Sequence, residues 1–232
     1  MEFNSKTRLL IIAAHPDDEV LGCGGTIVKA LKHKAQVEVV FLGEGISARF
    51  PIGQYGSADF KKFTQQRRKS AEQALKILGV KNVYFGTRLC VQFDTYPLLS
   101  ITKEIEDRMK SFRPTMLLTH NPSEINVDHR ITYEAVEAAC RPINAWAPKS
   151  IYTFEIICSG NWKFDPFFKP NVFVDIEEYW AKKLMAWRCY KGEHRPFPHF
   201  RSEKGLETLV TFRGLTVGIS KAEAFRLVRQ IV

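Results

Sequence analysis

The segment Leu9-Leu10-Ile11-Ile12-Ala13-Ala14-His15-Pro16-Asp17-Asp18-Glu19 sets an apolar run directly against one imidazole and three carboxylates. The apolar half has the unbroken pattern of a strand buried on both faces, as in a parallel sheet covered by helices. Val20, Leu21 and the glycine cluster Gly22-Cys23-Gly24-Gly25 follow at once and read as the start of a helix. In open α/β sheets, ligands gather beyond the carboxyl ends of the strands, where this turn falls. Imidazole and carboxylate groups there are the donors a hydrolytic metal takes. Any single one of the acids can also be read as a helix cap, because a helix N-terminus favours negative charge. All of them together need a further reason, since clustered carboxylates repel unless a cation or a function holds them.

Outward from this turn, strand-like and helix-like segments alternate, which predicts an α/β fold with βαβ units and a largely parallel sheet. A strand over Leu9–His15 leads to a helix from Asp18 to about Lys34, and a second strand follows over Val37–Leu42. A polar loop, Gly43–Gly56, precedes a long helix from Ala58 to Leu78, then a short strand over Val83–Phe85. Leu98, Ile101, Ile105 and Met109 share one face of a helix over Leu98–Phe112, and Pro114 separates it from a strand at Met116–His120. A helix over Ile131–Cys140 and strands at Ile151–Ile157 and Val172–Ile176 continue the pattern, with two or three helices expected from Glu177 to the end. Asn161–Pro170, with Trp162, Phe164, Phe167 and Phe168 among prolines, reads as a loop. No linker-like shift interrupts the 232 residues, so a single domain over 1–232 is expected.

Composition narrows the functional classes. No apolar run reaches the roughly 18–20 residues of a membrane helix, and the N-terminus lacks the layout of a secretory signal. Five scattered cysteines without CxxC spacing suggest neither a disulfide framework nor a thiolate zinc site, and a cytoplasmic location is expected. The formal charge of +9 favours anionic partners, yet the basic residues are dispersed and no RNA-binding or helix-turn-helix motif accompanies them. Nucleic acid is therefore not expected, and the sequence leaves a homo-oligomer open. The glycine cluster follows the acids, which would repel a pyrophosphate, so it is read as close packing of the first helix rather than a dinucleotide turn.

A second polar cluster, His120-Asn121-Pro122-Ser123-Glu124-Ile125-Asn126-Val127-Asp128-His129-Arg130, follows the fourth strand and occupies the same topological position as the first. His129 completes a set with His15 and Asp18. Two imidazoles and one carboxylate leave positions open for water and substrate, as in a hydrolytic centre rather than a closed structural one. Asp128 reads equally as a partner that orients a ligand or as a helix cap. His120 is read as a strand-end histidine without a ligand role.

The pairing of Ala-His-Pro-Asp-Asp-Glu near the N-terminus with Asn-Val-Asp-His-Arg in mid-chain resembles the LmbE-like, or PIG-L, family of zinc-dependent deacetylases. Softer likenesses extend over Leu78-Gly79-Val80, Asp94–Leu98, Asn171–Ile176 and Arg195–His199. The resemblance implies a Rossmann-like sheet and hydrolysis of an N-acetyl group on an amino sugar. It implies zinc on His15, Asp18 and His129, with Asp17 as general base; the same donors also admit ferrous iron. The implied partner is a small amino-sugar conjugate, anionic in keeping with the chain's charge and nucleotide- or lipid-linked in one form. Two other readings stand beside it: an amidase on another amide, such as a thiol conjugate of an amino sugar, and a non-catalytic sugar- or nucleotide-binding protein.

The chain departs from the family in two places. Better-known members carry a histidine where Asn126 stands, and asparagine donates a hydrogen bond to an oxyanion but supplies no proton at neutral pH. Either Asp17 acts as base and then acid, or His199 reaches in from the C-terminal segment. Leu89-Cys90-Val91-Gln92 lacks an aspartate that relatives use toward a sugar hydroxyl. Asp94 is the remaining candidate there, and Arg49 with Arg67 or Arg68 are candidate grips for a substrate phosphate.

Overall fold

A computed structural model describes residues 1–165 and 167–232. Seven strands form one sheet in the order β3-β2-β1-β4-β5-β7-β6. They are β1 (Arg8–Ala13), β2 (Gln36–Gly43), β3 (Asn82–Arg88), β4 (Met116–His120), β5 (Ser150–Phe154), β6 (Val172–Asp175) and β7 (Ala222–Gln230). Neighbours among the first five are parallel, and β7 runs antiparallel between β5 and β6. The helices are α1 (Asp18–Lys32), α2 (Ala58–Leu78), α3 (Leu98–Phe112), α4 (Val127–Ala139), α5 (Trp180–Trp187) and α6 (Glu203–Leu215).

The unbroken apolar run of β1 is explained by cores on both sides. Leu9 and Ile11 join the layer built with α1, α2 and α5, through residues such as Ile27, Leu75 and Trp187. Leu10 and Ile12 join the opposite layer, with Ile101, Ile105 and Met109 of α3 and Val136 of α4. Leu98 begins the α3 stripe but remains exposed at the first turn. None of the described helices is long and apolar enough to cross a membrane.

Two expected boundaries are corrected. The C-terminal segment is not wholly helical: α5 and α6 are followed by strand β7. Ala, Glu, Leu and Arg are good helix formers, but pairing between two strands overrides that local preference. Helix α4 starts at Val127 rather than Ile131, because the Asn126 side chain accepts a hydrogen bond from the Asp128 N–H at 2.9 Å and caps it. His129 is thereby fixed in the first helical turn.

Helix α1 breaks at Cys23 (φ −149°, ψ 21°), and the break is braced from the far end of the chain. Glu223 of β7 accepts from the N–H groups of Gly25 (2.8 Å) and Thr26 (2.7 Å), which restart the helix. Lys183 of α5 donates to the Leu21 carbonyl at 2.9 Å and to Glu223 at 2.6 Å. The glycines here serve close packing, since a Cβ on Gly25 would lie 2.8 Å from the Ile176 side chain. The first turn of α1 is held in place against the sheet end.

Candidate metal centre

Strands β1 and β4 are adjacent, with Ile12 opposite Thr119, while the chain leaves β1 towards β2 on one side and β4 towards β5 on the other. This is the switch point where α/β sheets open a crevice. The turn after β1 brings His15, Asp17 and Asp18 to it; the segment after β4 brings Glu124, Asn126, Asp128 and His129.

His15, Asp18 and His129 offer ligand atoms that all lie within 4.8 Å of one another. His15 Nδ1 is 3.7 Å from Asp18 Oδ2, and His129 Nε2 is 3.5 Å from Asp18 Oδ1. The remaining nitrogen of each ring is held by a carboxylate: His15 Nε2 by Asp128 at 2.7 Å, and His129 Nδ1 by Glu124. Such partners fix the tautomer and orientation of an imidazole ligand. They are themselves anchored, Asp128 by the N–H groups of Val91 and Phe93, and Glu124 by that of Ile156. Asp128 thus orients the His15 ring, and the cap is Asn126. The donor set therefore fits one divalent ion with open positions.

His120, Glu124 and His129 form a second close group. Both His120 and Glu124 are fully buried, however, and neither lines the cavity of about 130 Å³ that His15, Asp18 and His129 border. His120 packs beneath His129 with ring centroids 4.0 Å apart, accepts the Ala14 N–H at 2.9 Å, and lies 3.3 Å from Asp18.

The electrostatics separate the two neighbouring aspartates. Burial opposes ionisation of Asp18, but His129, His120 and His15 outweigh it and hold the carboxyl well below its usual range. Burial pushes Asp17 up to about 7, against the pull of Arg201 and Arg67, whose nitrogens lie 3.4 and 3.7 Å from its Oδ2. Burial lowers His129 to about 4, keeping the imidazole neutral as a metal ligand must be. Asp17 occupies a left-handed conformation, φ 123°, unusual for a residue with a side chain. Its N–H is tied to Glu19 at 3.0 Å, and Glu19 in turn accepts from the Tyr190 hydroxyl at 2.6 Å.

Of the other candidates, Asn126, Arg49 and Arg67 line the same cavity. Arg68 turns away to Glu72 at 3.1 Å and covers the Phe85 ring, and Asp94 is exposed in a short turn outside the cavity. His199 is packed against Trp162, its Nδ1 accepts the Arg201 N–H at 3.0 Å, and it is not among the cavity's lining residues. Arg201 reaches Asp17 from the same segment. Cys90 lines the cavity as a thiol that burial pushes up to about 11.

Sequence reasoning missed Glu193 and Arg201. Glu193 is buried and binds Arg49, Arg67 and Arg201 together. Nothing local marks either residue in a charged, proline-bearing segment. Their importance arises from contacts such as Arg67–Glu193, which spans 126 positions.

Comparison with known proteins adds to this geometry. The family model for PIG-L, described as GlcNAc-PI de-N-acetylase, matches residues 10–140. The diacetylchitobiose deacetylase of Thermococcus kodakarensis is 27% identical over 243 residues, covering 97% of this chain and 85% of that protein. The 4-oxalmesaconate hydratase of Pseudomonas putida is 25% identical over 207 residues, covering 82% of this chain and 76% of its own. The solved structure of N,N'-diacetylchitobiose deacetylase from Pyrococcus horikoshii with its inhibitor MPG matches with a TM-score of 0.75 at 25% identity. That match covers 96% of this chain and 84% of the other.

Two outcomes are expected. Asp128→Asn should weaken metal affinity by about 10–100-fold in a chelator competition, because His15 loses its orienting carboxylate; unchanged affinity would contradict that role. For Glu193, burial opposes ionisation, but Arg67, Arg201 and Arg49 hold the carboxyl below its usual range. Its contribution to stability is then present above the unfolded value, near ~4.3, and is lost as pH falls through the lower folded value. Glu193→Gln should be less stable than the wild type by about 3 kcal/mol near neutrality. In denaturant titrations that gap should narrow below about pH 4; a gap independent of pH would contradict the ion-pair account.

Proposed function

The chain belongs to the PIG-L de-N-acetylase family, a family of deacetylases, and on that premise we propose that it hydrolyses the N-acetyl group of an amino-sugar conjugate. His15, Asp18 and His129 would hold one divalent metal, zinc or ferrous iron, both of which suit two imidazoles and a carboxylate. Such a metal, when bound, activates water and polarises the amide carbonyl.

The observation that carries the reading is the division between adjacent acids. Asp18 is committed to the imidazoles, whereas Asp17 lines the same cavity outside the ligand set, with a pKa of about 7 suited to proton transfer. In this reading the Asp17 carboxylate takes a proton from the attacking water and returns it to the departing nitrogen. Acetate and a free amine result. Arg67 and Arg201 steer the carboxylate from one side, and Glu19 fixes its backbone. Asn126 has its Oδ1 engaged by the Asp128 N–H, which leaves its NH₂ group to donate to the developing oxyanion. Proton return through Asp17 answers the absence of a histidine at position 126 without calling on His199. Five free cysteines, four of them buried, accord with a reducing, cytoplasmic setting.

The hydratase relative makes the choice of assay matter, since it too is named for a reaction with water. Acetate release from a panel of N-acetyl sugars by the metal-loaded protein is the expected activity. Asp17→Asn should reduce it by about 10²–10⁴-fold with metal content unchanged. Retained turnover in that variant, or water addition to a carbon–carbon double bond in place of acetate release, would overturn the proposal.

A further inference from the structure

A second cavity, of about 380 Å³, opens beside the catalytic one, between α2 and the turn at residues 189–193. Arg49, Arg67 and Glu193 line both cavities, which therefore adjoin along this ion-paired group. Lys69 of α2 and Lys191 of the turn border the second cavity, where Glu193 is the one carboxylate among the described lining residues.

That carboxylate is already shared. Arg49, Arg67 and Arg201 all converge on Glu193, and Asp17 is the only other acid bonded to Arg67 or Arg201 among the described residues. The guanidinium groups outnumber the carboxylates, and Lys69 and Lys191 add uncompensated charge. Arg67 is only 7% exposed, so water does little to solvate its charge. A buried guanidinium is costly unless anions meet its charge, and an oxyanion in the adjoining cavity would join Glu193 and Asp17 in doing so. The volume lies in the lower part of the range of small-molecule sites, about 300–1,000 Å³, and is generous for a free inorganic ion.

We propose that this cavity binds the phosphate or diphosphate of a phosphate-linked amino sugar whose acetamido group lies in the catalytic cavity. The proposal rests on the deacetylase reading above and adds a substrate class to it. Lys69 and Lys191 act as point charges on the outer phosphate oxygens, and Arg49 and Arg67 contact the oxygens nearest the sugar.

The test is calorimetric binding of N-acetylglucosamine, N-acetylglucosamine 1-phosphate and uridine diphosphate N-acetylglucosamine to the metal-loaded protein and to its K69Q/K191Q variant. Acetate release is followed in parallel. Both lysines are exposed, so the variant is expected to fold, and a thermal melt checks this. The phosphorylated sugars should bind at least about tenfold more tightly than the neutral one, and the variant should lose about tenfold of that preference. Equal affinities overturn the proposal. A preference that survives intact in the variant also overturns it, because the anion is then held by the metal or elsewhere. Lysine-dependent binding without acetate release from any sugar would overturn the reaction and leave the subsite standing. Acetate release without a preference for phosphate would overturn the subsite alone.

Discussion

Asp18 carries a negative charge at about 1% exposure, and that constraint organises everything around it. A buried carboxylate stays ionised only where positive charge or hydrogen-bond donors replace the water it has lost. Here the His15 N–H donates to it at 2.8 Å, and His15, His120 and His129 surround it. Those imidazoles must in turn be oriented, which is the work of Asp128 and Glu124, themselves fixed by three backbone N–H groups from two different segments. A divalent cation fits the centre of this arrangement because its charge meets the same requirement.

The same constraint separates Asp17 from its neighbour. Asp17 stands before α1 in a left-handed conformation, and the two carboxylates meet different partners. Glu19 holds the backbone, and Arg67 and Arg201 face the side chain. The break in α1 at Cys23 and its bracing by Glu223 and Lys183 keep this first turn at the sheet end. The fold reaches its site through strain near the acids and through brackets supplied by the last strand.

What could be read from the chain beforehand was what is local. An apolar run buried on both faces, followed by His15–Glu19, identifies the first strand and the candidate metal-binding turn without further information. Asn126–His129 supplied the other half because His129 lies in a capped first turn, although the cap itself pushed the helix start earlier than periodicity suggested. Strand β7 was not legible, since its residues prefer a helix and only β5 and β6 make them a strand. Glu193 and Arg201 escaped notice because isolated charges in a basic segment resemble solvated surface. Arg68 and Arg67 could not be told apart by type or neighbourhood; helical phase alone turns one inward and the other toward Phe85.

The most direct measurement is X-ray absorption at the metal edge of the purified, metal-replete protein, combined with metal stoichiometry. The account predicts one zinc or iron per chain, with two imidazole nitrogens, one carboxylate and at least one further light ligand from water. A third imidazole, which would bring His120 onto the metal, or a chain that retains no stoichiometric metal, would contradict it.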